Sequence, residues 1–134
     1  MAALVDIEGI GEQFADKLAQ AGIGTTQTLL KRGATRDGRR AVAKASGVNS
    51  RRILQWVNHA DLFRVKGVGQ EYADLLEASG VDTVPELAQR NADHLHKQLK
   101  QTNDRRVLVR RIPAVKQVKR WISHAKRLRR VIEY

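Results

Sequence analysis

The chain contains no cysteine. That excludes disulfides, thiolate metal sites and a cysteine nucleophile, and it suits a reducing, cytoplasmic setting. Proline is scarce, with two in 134 residues, and β-branched residues seldom run together, so helices meet little to interrupt them. Aromatic residues make up only 4%, too few for a surface that binds single strands by stacking bases. No window reaches the roughly 20 apolar residues of a membrane span. Met1–Asp6 has neither the basic start nor the apolar stretch of a secretory leader. There is no Ser-His-Asp arrangement, phosphate-binding loop motif or dinucleotide fingerprint. The expectation is therefore a non-enzymatic helical protein with no catalytic residue, no cofactor and no membrane partner.

What remains is a well-mixed chain with one lopsided feature. Apolar residues reach 42%, enough to fill a core. The length fits one ordinary domain, or two very small ones sharing a core. The net charge is +11, yet residues 97–130 hold thirteen Lys and Arg against one acid, Asp104. The rest of the chain is close to neutral. Such a field favours a polyanionic partner, nucleic acid first and an acidic protein or an anionic membrane surface next. The plainer reading is a solvated basic face that keeps the protein in solution.

An internal repeat organises the sequence. Ile7-Glu8-Gly9-Ile10-Gly11 matches Val65-Lys66-Gly67-Val68-Gly69 at an offset of 58. Without a gap, Phe14-Ala15-Asp16 then matches Tyr72-Ala73-Asp74, and Ala21-Gly22-Ile23-Gly24-Thr25 matches Ser79-Gly80-Val81-Asp82-Thr83. The register later slips. Asn49-Ser50-Arg51-Arg52 resembles Asn103-Asp104-Arg105-Arg106, and Trp56-Val57-Asn58-His59-Ala60 resembles Trp121-Ile122-Ser123-His124-Ala125. These landmarks place one repeat over residues 1–62 and the second over 63–134.

Punctuation supplies the helices. One is predicted over Glu12–Ala21, with Gly22 as a left-handed C-cap, and its counterpart over Gln70–Ser79, stopping at Gly80. Thr83-Val84-Pro85-Glu86 reads as a capping box. Gly47 ends a helix holding Ala41, Val42 and Ala45, and Asn49 or Ser50 caps the next, through Trp56. Asn103 is expected to cap a helix likewise, broken by Pro113. The last helix is expected over Ala114–Val131, with Val115, Val118, Ile122, Ala125 and Ile132 in one stripe.

Gly-apolar-Gly followed by a helix is the mark of a helix-hairpin-helix. The glycines permit backbone conformations and close approach denied to other residues. Ile10 and Val68 plug the turns into the core. The first amides of the next helix then face outward at the positive end of its dipole, where a phosphate oxygen is a natural partner. Hairpin 2 carries Lys66, whereas hairpin 1 is flanked by Asp6, Glu8, Glu12 and Asp16, so hairpin 2 is the better candidate. The alternative is that both are only tight packing turns.

These tracts resemble the helix-hairpin-helix segments of DNA-repair and recombination proteins, most specifically over Ile7–Leu30 and Val65–Leu87. The whole chain looks like a bacterial family of tandem helix-hairpin-helix domains whose function is unknown. The resemblance implies contact with the DNA backbone across the minor groove without sequence preference, and it alone favours double-stranded DNA over RNA.

Other signals are weaker. His59 and His124 occupy matching positions with no ligand partner at suitable spacing, and are expected to pack. His94 and His96 would diverge on a helix, so no metal site is expected. Ala43, Gly47 and Ile53 have helix-turn-helix spacing, with Arg51 and Arg52 on the second helix, but a simple packing corner accounts for them. Trp56 and Trp121 are expected as core anchors. Hairpin 2 has a full helix before it and hairpin 1 does not. By pseudo-two-fold symmetry the Trp121 helix is expected to fold back and supply the one missing before hairpin 1.

The sequence thus predicts an all-α fold of two pseudo-symmetric helix-hairpin-helix repeats fused into one compact helical domain. The expected function is nucleic-acid binding through backbone phosphates, the alternative being a protein-interaction adaptor with a basic helix. The candidate contacts are Lys66, Gly67, Gly69 and Gln70 of hairpin 2. With them goes a basic arm of Arg105, Arg106, Arg110, Arg111, Lys116, Lys119, Arg120, Lys126, Arg127, Arg129 and Arg130.

Overall fold

A computed structural model describes residues 3–134. Regular structure among them is helical. A 3-10 turn at Leu4–Asp6 precedes α1 (Glu12–Gln20), α2 (Thr26–Arg32), α3 (Arg36–Ser46) and α4 (Ser50–Leu62). Then follow α5 (Gln70–Ala78), α6 (Val84–Ala88), α7 (Ala92–Arg105) and α8 (Val115–Arg127). No strand forms among the described residues; Ala3 and Thr25 meet in an isolated antiparallel bridge.

The chain divides into two compact units: Met1–Ala60 with Val131–Tyr134, and Asp61–Arg130. In the first, α3 packs against α1 and α2, around buried Ile10, Leu18, Ile23, Leu29, Val42 and Ile53. In the second, α8 packs on α6 and α7, and α5 on α7, burying Val68, Leu76, Leu87, Leu95, Leu99 and Val118.

The two glycine tracts fold to the same local backbone. Gly9 and Gly67 have φ of +91° and +92°, and Gly22 and Gly80 have +84° and +90°. Ile10 N–H donates to the Ile7 carbonyl and Val68 N–H to that of Val65; Ile23 N–H donates to Leu18 and Val81 N–H to Leu76. Thr25 and Thr83 cap α2 and α6, their hydroxyls accepting from the amides of Thr28 and Glu86. The Glu86 carboxylate reaches back as far as the Thr83 hydroxyl, at 3.0 Å. Gly47 ends α3 in the left-handed region, and Asn49 accepts from the Arg51 amide at the start of α4.

Three expectations are corrected. The Trp121 helix does not serve the first hairpin; each tryptophan closes the turn of its own unit. Trp56 meets Phe14 edge-on at 5.2 Å, and a Cβ on Gly9 would lie 3.4 Å from its Nε1. Trp121 tilts over Tyr72 at 5.1 Å and stands closer still to Gly67, 3.0 Å from where a Cβ would lie. The physical reason is that a glycine at positive φ leaves a flat, side-chain-free surface that an indole covers well.

Asn103 caps no helix. It lies in the last turn of α7, and its buried amide accepts from the Leu108 and Val109 amides and donates to the Val109 carbonyl. Residues 106–114 are consequently a tethered loop. Finally, α8 stops at Arg127, where Leu128 turns extended with ψ of 134°. Ile132 thus leaves the predicted stripe and is buried in the first unit, where the Glu133 amide donates to the Ala34 carbonyl.

Candidate nucleic-acid interface

The turn Val65–Gly69 ends where α5 begins. Gly69 is the N-cap of α5, has no side chain to cap it, and leaves open space where a Cβ would stand. Its φ is −98°, as is usual for any residue. Only the first glycine of the pair, Gly67, needs left-handed freedom; the second contributes openness at the start of the helix.

The turn is tied to α8 by one hydrogen bond. The Lys66 amide donates to Nδ1 of His124 at 2.9 Å. An accepting Nδ1 fixes the neutral tautomer with the proton on Nε2. This bond holds the main chain of Lys66 against α8, while the Lys66 side chain stays exposed.

A cavity of about 520 Å³ opens at this junction, lined by Lys66, Gly67, Gln117, Arg120, Trp121, His124 and Arg127. It therefore joins Lys66 and Gly67 of the turn to Arg120 and Arg127 of the basic arm. On a helix of 3.6 residues per turn, Lys116, Arg120 and Arg127 fall along one stripe, and Lys119 and Lys126 flank it. All five are exposed. The Trp121 indole is 1% exposed, yet its Nε1–H has no acceptor among the described residues. A buried donor left without a partner is costly, and the ring that carries it lines the cavity.

The remaining candidates are spread around this core. Gly69 and Gln70 sit at the start of α5, outside the cavity wall. Arg105 ends α7, Arg106 is its C-cap, and Arg110 and Arg111 ride the loop tethered by Asn103. The Arg111 carbonyl accepts from the Tyr72 hydroxyl at 3.2 Å. Arg129 and Arg130 follow the end of α8, and the Arg129 carbonyl accepts from the Arg64 guanidinium. Gln117, Trp121 and His124 were not among the candidates. Their spacing with Arg120 and Arg127 along one helix was the available signal.

The first unit has the same turn with different chemistry. By the repeat registers, Glu8 stands where the second unit has Lys66, and Gln55 where it has Arg120. Two cations lie over the Phe14 ring of α1, Arg52 at 4.9 Å and Lys17 at 5.5 Å, and neither takes the place of Lys66 or Arg120. Backbone likeness thus comes without the cationic wall.

No group of three or more His, Asp or Glu side chains able to hold a metal ion occurs among the described residues. No helix among them is long and apolar enough to cross a membrane.

No curated protein and no solved structure matches the chain. Residues 8–128 match the family described as Domain of unknown function (DUF4332), and the chain belongs to that family.

Proposed function

We propose that this member of the family binds nucleic acid, double-stranded DNA foremost, through backbone phosphates and without reading bases. The observation that carries this reading is the cavity that joins Lys66 and Gly67 to Arg120 and Arg127. Side chains from two separated stretches of sequence converge there, and no carboxylate lines the wall. A phosphate oxygen would meet these cations, with the His124 Nε2–H as a neutral donor beside them. Lys116, Lys119 and Lys126 would extend the contact along the duplex, positioning it and releasing counterions.

We also read the two glycine turns as helix-hairpin-helix modules, of which the second is the binding one. The matching φ values and hydrogen bonds support the likeness, and Glu8 opposes an anion at the first. The role is one of binding rather than catalysis.

The test is binding of a random-sequence duplex over a salt series. The plot of log K against log salt should be linear, with a slope near −0.9 per neutralised phosphate, so about five to seven contacts give a slope near −5. A flat salt response, or no binding of DNA or RNA at low salt, overturns the reading and favours an adaptor that docks its basic helix on an acidic protein.

A further inference from the structure

The first unit carries a basic cluster that its near-neutral surroundings conceal. Residues 31–52 contain eight Lys and Arg and a single acid, Asp37. Folding gathers four of these arginines around one cavity of about 280 Å³, lined by Arg36, Arg39, Arg40, Ser50, Arg51 and Leu54. The residues come from the start of α3 and the start of α4, and no acid lines the wall.

The four guanidiniums differ in what they do. Arg39 is 6% exposed and donates to the carbonyls of Gly33 at 2.8 Å and Glu133 at 2.6 Å. These acceptors are neutral, so they hold the guanidinium in place without cancelling its charge. Arg36 donates to a main-chain oxygen of Tyr134, which in this sequence belongs to the terminal carboxylate, so its charge is offset and the site does not draw on it. Arg40 approaches Asp37 at 3.7 Å, with side chains 77% and 95% exposed, a geometry that contributes little. Arg51 is exposed. A fixed, buried cation beneath two solvent-facing ones makes a concave, preorganised field that an anion would relieve.

We propose that this α3–α4 cavity is a second phosphate site for nucleic acid, formed by Arg40 and Arg51 over the fixed charge of Arg39. It uses neither glycine turn. Arginine suits the task because its planar fork can engage two phosphate oxygens at once. The proposal rests on the reading of the protein as a nucleic-acid binder, and adds a separate place of contact in the other unit.

The experiment uses the full chain and a fluorescein-labelled random-sequence duplex, read by anisotropy over a salt series. The double variant Arg40→Gln/Arg51→Gln leaves Arg39 and Arg36 untouched and should keep the parent's circular dichroism and melting. It should lower the magnitude of the salt slope by about two units and weaken binding, as expected for two lost phosphate contacts. Arg40→Lys/Arg51→Lys, which keeps the charge, should retain the parent slope. A folded Gln variant with the parent's affinity and slope overturns the second site and leaves the binding function standing. Arg120→Gln/Arg127→Gln binding like the parent overturns instead the cavity at α8. A parent that binds no duplex at low salt overturns both.

Discussion

Gly67 and Trp121 fit against each other so closely that a Cβ on Gly67 would lie 3.0 Å from the indole Nε1. Gly67 also holds φ of +92°. The turn is thus closed by an aromatic wall that only a residue without a side chain admits. Gly69, two positions on, faces nothing within 4 Å. The two glycines of one motif therefore have separable roles, one in folding and one in access.

That separation gives the first prediction. Gly67→Ala meets both an unfavourable φ and the indole, and should cost about 1–3 kcal/mol of stability, read by urea unfolding. Gly69→Val should fold like the parent by circular dichroism, because its φ is ordinary and its surroundings open. It should nevertheless weaken duplex binding by about 1–3 kcal/mol if phosphates approach the first amides of α5. A folded Gly69→Val that binds as the parent does would confine the contact to side chains.

Asn103 makes the second. Its amide satisfies two main-chain donors and one acceptor, so Asn103→Leu leaves them buried or frees the loop. The expected loss is about 1–3 kcal/mol. Limited trypsin digestion should then cut faster at Arg106, Arg110 and Arg111. Unchanged melting and digestion would mean that the loop is held by other groups.

Asp61 concerns pH. The residue is 3% exposed, and its carboxylate accepts from Arg64 at 2.5 Å. Burial raises its pKa from the usual 3.8, and the Arg64 hydrogen bond and charge lower it by less. The folded state therefore binds this proton more tightly than the unfolded chain does. Its contribution to stability is complete below pH 3.8 and is lost as pH rises through the raised folded value. Near neutrality the ionised form is a net cost, so Asp61→Asn should be within about 1 kcal/mol of the parent or more stable. Its advantage should shrink towards pH 4 in melts across pH 3–7, roughly the range over which carboxyls titrate. A loss of several kcal/mol at pH 7 would show that the ion pair outweighs burial.

Much of this architecture was legible in punctuation. Glycines at 22, 47 and 80, and the threonine at 83, act through local backbone chemistry, and each sits where its residue type predicts. What local pattern does not carry is the destination of a side chain. Asn49 and Asn103 precede similar basic pairs, yet one caps α4 and the other, inside α7, ties down a loop. Trp56 and Trp121 were readable as anchors, but not which turn each closes, since that depends on packing within each unit. The arginine cavity is not legible in the sequence for a different reason. Charge summed over long stretches averages the cluster at 31–52 against the acids around it. Arg120 and Arg127 were legible as cations; their convergence with Lys66 required the fold.

The last prediction exploits the difference between the two glycine turns. They share φ values and hydrogen bonds, so the backbone alone does not distinguish them. The wall differs: Glu8 and Gln55 stand in the first unit where Lys66 and Arg120 stand in the second. Both Glu8 and Gln55 are exposed, so Glu8→Lys/Gln55→Arg should fold without cost beyond a few tenths of a kcal/mol. The change removes one repulsive charge and adds two attractive ones beside a turn already of the right shape. If cations and turn act together, the variant should bind duplex more tightly than the parent, with a salt slope steeper by one to two units, about one per new phosphate contact. A control, Glu77→Lys/Gln89→Arg, makes the same charge change at exposed positions away from either glycine turn. Equal gains from both variants would mean that net charge alone sets affinity, and that the glycine turns serve only the fold. A larger gain at the first turn would assign the binding to the turn and its wall as one unit.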